Sequence, residues 1–483
     1  SLIPFMDVLT ESSSNSPYKD IFIFLQDFKF FTPSNEKIIF MFLFIMLVLI
    51  SYLIKIILIW FAAHITHSIG HEINLKIFNK TVNKEYSYHL NTNSSRFLGN
   101  LEKSDIFKAS IASILQLGIS IVMIVGFFIF ILFLDAKLVL MVSLLGIGVY
   151  SLIYVFLKKQ MSENSLIEAT QIEKRLQIMQ ETTVNIRDIL ISSLQNSFLN
   201  IFKSSDQKLK KVSIKNIVYL NIPGNLVLLL STIFLSIFIY YYSLKPDGLV
   251  SNLSILAAML FALQKLLPQA QFLYSSLSKL RMHGLAVQDV KILLTSEDQN
   301  IETIDANINE DINFKNNIKI ENGTFKYDKN QKKIFDLINF EIKKNDKSLI
   351  IGSTGSGKST LIDILMGLLE LQDGRLIVDD KSINSQNMKL WQKKISHIPQ
   401  QTGFKDSSIL ENITFSLGGN KIDKERLIES SINAEIYDFI KSKENGFDTI
   451  IGEKGVKLSG GQRQRIAIAR ALYSNKEILF LDE

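Results

Sequence analysis

The chain has 483 residues, 47% of them hydrophobic and 21% charged, with a formal net charge of +6 and no cysteine. At about 100–200 residues per domain, this length holds two to four domains with sizeable cores. The missing cysteines exclude a disulfide scaffold, thiolate zinc and iron–sulfur sites, and a Cys nucleophile.

A mean hydropathy of +0.20 fits a soluble protein or one that is half membrane, but the apolar residues are unevenly placed. They crowd the first ~290 residues, and charges and turn residues dominate the rest. Ser1 opens the chain with neither Met nor a signal peptide, and an apolar strand closing on Asp482-Glu483 is an odd place for a domain to stop. The expectation is a piece of a longer chain, cut at both ends.

Ser1–Leu9 reads as the tail of a first apolar span. Tyr18–Phe31 places apolar residues at 21, 24, 25, 28 and 31, the stripe of an amphipathic helix lying on a membrane face. Ile38–Ala63 is apolar apart from Lys55 and as a helix spans about 39 Å, enough for a hydrocarbon core of about 30 Å. Further runs cover residues 111–134, 138–157, 217–242 and 249–267. Asp135-Ala136-Lys137 between two of them makes a tight hairpin.

Basic residues set the orientation. The long segments His67–Ser110 and Lys158–Asn216 carry six and ten Lys+Arg, whereas Thr10–Lys37 carries three against four acidic residues. The long segments therefore face the cytoplasm, as helical extensions of the spans. Their basic charge is explained by orientation, so no nucleic acid partner is expected. His64, His67 and His71 share one helix face at i, i+3, i+7. With only Glu72 beside them, a polar helix extension is preferred to a metal site.

Residues 295–317 are polar and mainly acidic, a linker between a transmembrane domain at 1–294 and a nucleotide-binding domain at 318–483. Strand-like Ile318–Ile320 opens the second domain, and Lys347–Ile351 has the pattern of a buried strand. Gly352-Ser353-Thr354-Gly355-Ser356-Gly357-Lys358-Ser359-Thr360 follows, then the helical Leu361–Leu369. This is G-x-x-x-x-G-K-[ST] in its strand–loop–helix setting. The glycines let backbone N–H groups close around phosphate oxygens at a helix N-terminus. Lys358 places a charge on the β/γ-phosphates of ATP, and Ser359 supplies an oxygen for Mg²⁺. Apolar Ile478–Leu481 ends in Asp482, placed on the Mg²⁺ shell, and Glu483, placed as base for the attacking water.

Between them stands Leu458-Ser459-Gly460-Gly461-Gln462, followed by a helix to Tyr473. With this signature the chain resembles the ATP-binding cassette (ABC) transporters. The resemblance implies that Gln400 of Ile398-Pro399-Gln400 approaches Mg²⁺ and that Tyr327 stacks on adenine. It also implies that Gly452–Gly455 touches the transmembrane extensions. Phe404-Lys405 stands where exporters often have Leu-Phe, which bears on the local coupling surface. The family completes each ATP site with the signature of the opposite subunit, so Ser459, Gly460, Gly461 and Gln462 would serve a partner's nucleotide in a homodimer. The family's D-loop and switch histidine lie past Glu483, so this chain is expected to bind ATP and hydrolyse it poorly.

The expected fold is thus an α-helical transmembrane bundle of the six-span exporter type fused to an α/β P-loop ATPase domain. It would sit multi-pass in the inner (plasma) membrane with its cassette in the cytoplasm. Ser51–Lys55, Ala262–Ala270 and the outer amphipathic segment look like flippases that move lipid-linked oligosaccharides. Lys55 and Lys265, both about 25 Å below the outer surface, would meet the substrate pyrophosphate. Export of a drug, lipid or peptide is the alternative, with an ATP-gated channel or regulator behind it.

Overall fold

In the computed structural model, the structure describes residues 36–132, 136–243, 253–295, 312, 314–327, 332–415 and 422–482. The segments Ser1–Leu9 and Tyr18–Phe31, and Glu483, lie outside the described residues. The chain divides into two compact units, one of residues 1–82 and 93–297, the other of residues 83–92 and 298–483.

The first unit is helical. Its elements are α1 (Glu36–Val82), α3 (Ser94–Leu132), α4 (Ala136–Val184), α5 (Ile186–Ile191), α6 (Gln195–Ser243), α7 (Leu253–Met282) and α8 (Gly284–Thr295), while α2 (Tyr86–Asn91) belongs to the second unit. Among the described residues, Phe44–Val82, Ser95–Gly126 and Gln195–Ile233 are long and apolar enough to cross a membrane. Many side chains of the expected spans 138–157 and 249–267 lie outside the described set. No residue in the most apolar window of α1 is buried, as suits a helix solvated by lipid. The helices run well past the apolar stretches, continuous through polar sequence.

Those polar extensions are joined by buried polar groups. Lys103 of α3 is buried and donates to Glu173 of α4 at 2.6 Å and Asp289 of α8 at 2.7 Å. Two carboxylates at hydrogen-bond distance offset the cost of burying this ammonium. Asn164 of α4 donates to Asn216 of α6 at 2.8 Å. Paired in this way, polar residues select one register between helices that apolar packing alone leaves loosely specified.

The second unit carries an antiparallel sheet in the order β2-β1-β3-β4, from β1 (Asn317–Phe325), β2 (Phe335–Lys343), β3 (Asp373–Val378) and β4 (Lys381–Ile383). A parallel pair joins β5 (Ile395–Ile398) to β6 (Ile478–Leu481). Its helices are α9 (Lys358–Leu365), α10 (Met388–Gln392), α11 (Ile409–Thr414), α12 (Lys424–Asn433), α13 (Tyr437–Lys441) and α14 (Gly460–Tyr473). One core packs α9 against the sheet through Ile318, Ile320, Leu365, Leu376 and Trp391. A second gathers Ile409, Ile413, Ile436, Ile440 and Ile466 around α14.

One expectation is corrected. Lys347–Ile351 is not a strand: it has no ladder partner among the described residues, and Leu349 and Ile351 are 83% and 84% exposed. Only Ile350 of that apolar triplet packs on the core. Apolar pattern makes a segment compatible with a sheet, but a strand also needs a neighbouring edge to hydrogen-bond.

Candidate functional site

The phosphate-type loop folds as its residue types demand. Gly357 has φ +94°, and a Cβ there would lie 2.7 Å from Ile334 Cγ2, so no side chain fits at the entry to α9. The loop turns through Ser356 N donating to Ser353 O at 3.1 Å. Lys358 begins α9 and donates its ammonium to the carbonyls of Gly352 at 3.0 Å and Ser353 at 3.1 Å. The charge is thereby held over the loop at the positive end of the helix, a setting made for anions.

Two elements distant in sequence complete this site. Parallel register sets Ile398 opposite Leu481, so β5 and β6 end together, with Gln400 just past one and Asp482 just past the other. Ser359 Oγ donates to Asp482 Oδ1 at 3.2 Å. Tyr327, half exposed, bonds through its hydroxyl to Thr360 Oγ1 at 3.0 Å and sits edge-on to Phe325 at 5.1 Å. Lys358, Ser359, Thr360, Tyr327 and Asp482 therefore converge on one corner of the second unit.

Asp363, an acid inside the apolar face of α9, was not singled out from the sequence. Burial, and then the charge of Asp482, push its carboxyl up to about 6. Two carboxylates close enough for one to perturb the other, beside the Ser359 hydroxyl, make an oxygen-rich corner. Mg²⁺ is held by one or two protein oxygens together with phosphates and water, so Ser359 and Asp482 fit it as a donor pair. No cluster of three or more His, Asp or Glu suited to a metal occurs among the described residues. His64, His67 and His71 lie on the exposed side of α1.

The raised Asp363 carboxyl carries a pH signature. At about 6 it lies above the ordinary carboxylate range, so between the two the folded state binds a proton that the unfolded chain has lost. Stability then falls as pH rises through that window. Asp363→Asn is expected to raise the thermal midpoint at pH 8 and to lose that advantage near pH 4; equal shifts at both pH values would contradict it.

Tyr86 of α2 lies in the same unit, and its phenol is pushed up by burial, then by Asp363 and Tyr327. Helix α2 was not foreseen either; six residues are too few for a periodic signal.

At the signature, Ser459 caps α14. Its Oγ accepts from Gln462 N at 3.3 Å while Gln462 Oε1 accepts from Ser459 N at 2.9 Å, a reciprocal capping box. Ser459, Gly460 and Gly461 are exposed, and a Cβ at either glycine would meet open space. Among the described residues no hydrogen bond joins Ser459–Gln462 to Gly352–Thr360. The helix is anchored at its other end by Arg470, which donates to Asn412 O at 2.8 Å and Gly403 O at 3.0 Å. Its guanidinium lies over Phe404 at 5.3 Å and Phe415 at 4.7 Å. The unusual Phe404 is thus part of a cation–π seat that fixes the segment after Gln400 to the signature helix. A basic residue inside the apolar run Ile466–Leu472 was the available signal.

In the first unit, Lys265 Nζ lies 5.9 Å from the Tyr52 ring centroid. Lys55 is exposed on the same face of α1, three residues beyond Tyr52.

A family model described as "ABC transporter" matches residues 335–483, and one described as "ABC transporter transmembrane region" matches residues 2–264. The chain is 32% identical over 289 residues to an "ATP-dependent lipid A-core flippase" of Coxiella burnetii, covering 59% of this chain and 47% of that protein. It is 38% identical over 188 residues to a "Beta-(1-->2)glucan export ATP-binding/permease protein NdvA" of Bartonella bacilliformis, covering 39% of this chain and 31% of that protein. The chain thus matches half or less of the length of these curated relatives. A solved "bacterial Atm1-family ABC exporter with ATP bound" shares the fold at a TM-score of 0.76 and 19% identity, over 90% of this chain and 76% of that one.

Proposed function

Because the chain belongs to the ABC transporter family, with a transmembrane region and an ATPase region, we propose that it drives export or flipping of a lipid-linked oligosaccharide. The observation that carries the reading is the convergence of Lys358, Ser359 and Asp482, with Ser359 and Asp482 at 3.2 Å, in a chain that also bears membrane-length apolar helices. Lys358 and the loop amides would hold the phosphates of ATP, Ser359, Asp482 and Gln400 the Mg²⁺, and Tyr327 the adenine. Bound there, Mg²⁺ supplies charge neutralisation at the phosphates. Glu483 would orient and deprotonate the attacking water.

The capped signature, with Ser459 and the Gly460 and Gly461 amides exposed at a helix N-terminus, suits a γ-phosphate presented by a second copy. A homodimer with two shared ATP sites follows. Its closure and opening would alternate access across the bacterial inner membrane, with the second unit in the cytoplasm.

For the substrate, support comes from two relatives named for lipid A-core flipping and β-(1→2)glucan export, both glycan-bearing molecules. Lys265, Tyr52 and Lys55 offer two cations and an aromatic ring at a depth where charge marks a substrate path. These lysines would meet the pyrophosphate of a polyprenyl-linked glycan. Stimulation of ATP hydrolysis by such a glycan, measured on the full-length protein, is the test. Each charge-assisted contact is worth about 1.5–3 kcal/mol, so Lys55→Ala/Lys265→Ala should raise the half-maximal concentration at least about tenfold. An unchanged stimulation curve would remove the anion site.

A further inference from the structure

Within the first unit, α6 carries Pro223 in its interior. Proline has no N–H, so the Tyr219 carbonyl, four residues earlier, has lost its helical donor. The Tyr274 hydroxyl of α7 donates to that carbonyl at 3.1 Å. Gln271, one turn earlier on α7, donates its amide to the next carbonyl, Leu220 O, at 2.7 Å. Its Oε1 accepts from the Tyr150 hydroxyl of α4 at 3.3 Å, and the Tyr150 and Tyr274 rings lie 5.5 Å apart.

The residue after the proline makes this approach feasible. A Cβ on Gly224 would stand 2.3 Å from Gln271 Oε1, so a side chain there would push the amide out of this position. Tyr274 is 2% exposed, and Met161, Met282, Leu157 and Ile153 close the surroundings to water.

We infer that Pro223-Gly224 is a hinge in α6 latched by Gln271 and Tyr274 of α7, and that opening this latch is a step of the conformational cycle. An uncapped carbonyl in apolar surroundings is costly, so α6 is stable in this shape only while docked on α7. Once α7 leaves, α6 must rearrange or admit water to the Tyr219 carbonyl. The element therefore has discrete docked and undocked arrangements. Tyr150 ties α4 to the same latch, so α4 and α6 sense its release together. The cycle itself rests on the transport reading; the latch does not.

Because the chain has no cysteine, Ile214→Cys on α6 and Leu277→Cys on α7, both exposed, give unique spin-label sites. Pulsed electron resonance in lipid nanodiscs, without nucleotide or substrate, then reads the α6–α7 distance distribution. With Pro223 present, Tyr274→Phe is expected to raise the separated population about fivefold. In a Pro223→Ala background, which restores an N–H for Tyr219 O, the same change should have less than about a twofold effect. Equal effects in both backgrounds would overturn the latch.

Gly224→Ala and Gln271→Leu provide a second cycle that leaves the proline intact. Each should separate the helices, and the double variant no more than either alone; additive shifts would overturn it. Adding ATP to the parent protein tests the transport reading separately. A latch that passes both cycles but does not respond to ATP would remove its place in the cycle.

Discussion

In the full-length protein, replacing Lys358 with methionine is expected to reduce ATP hydrolysis by about 10²–10³-fold while leaving the fold in place. The ammonium stands at the N-terminus of α9, and its partners are the Gly352 and Ser353 carbonyls of its own loop. The Lys358 partners are exposed loop carbonyls that water can satisfy, so the stability cost is small, within about 0.5 kcal/mol. The functional cost would be large because, in the proposed site, the charge is preorganised where phosphate charge would redistribute. Methionine keeps the length and apolar stem of the side chain, so lost activity reports the charge itself. The check is steady-state phosphate release together with nucleotide affinity. Activity within threefold of the parent would mean that the site does not act on phosphates.

The second large effect is structural. Trp391 of α10 is fully buried, and its indole Nε1 donates to Leu365 O, the last residue of α9, at 2.9 Å. The final carbonyls of a helix have no intrahelical donor, so the indole caps the very helix whose first residue is Lys358. Trp391→Ala removes the ring from the centre of the first core and leaves that carbonyl without its donor. Losses of about 3–5 kcal/mol are expected from the cavity. Trp391→Phe, which keeps most of the bulk, should lose about 1–2 kcal/mol. Amide hydrogen exchange in α9 reads the change locally, with protection falling by about two to three orders of magnitude for Trp391→Ala. A loss below tenfold would mean that α9 is held by other contacts.

How far sequence foretold structure depended on the range of the interaction. The phosphate-type loop and the signature were readable because their chemistry is local: a glycine where no Cβ fits, a lysine opening a helix, a serine paired with Gln462 three residues on. The pairing of Ser359 with Asp482 was inferable only because Asp482 ends an apolar strand at a suitable remove. The Lys347–Ile351 segment misled because apolar pattern reports compatibility with a core, not the presence of an adjacent edge. Asp363, Arg470 and the Tyr274–Tyr219 bond were hidden for the opposite reason. Each depends on a partner many residues away, and none belongs to a short motif. Pro223-Gly224 was visible as a dipeptide, but the Tyr274 hydroxyl that serves its freed carbonyl comes from α7, which sequence alone could not dock.

ATP consumed at the Lys358 corner is proposed to move a glycan lipid across the bilayer. The most direct measurement reconstitutes the full-length protein in proteoliposomes with a polyprenyl-pyrophosphate-linked oligosaccharide and follows transfer of its sugar head between leaflets. Transfer should require ATP and Mg²⁺ together and should vanish in Lys358→Met. Transfer at the same rate without ATP, or ATP hydrolysis with no transfer, would contradict it.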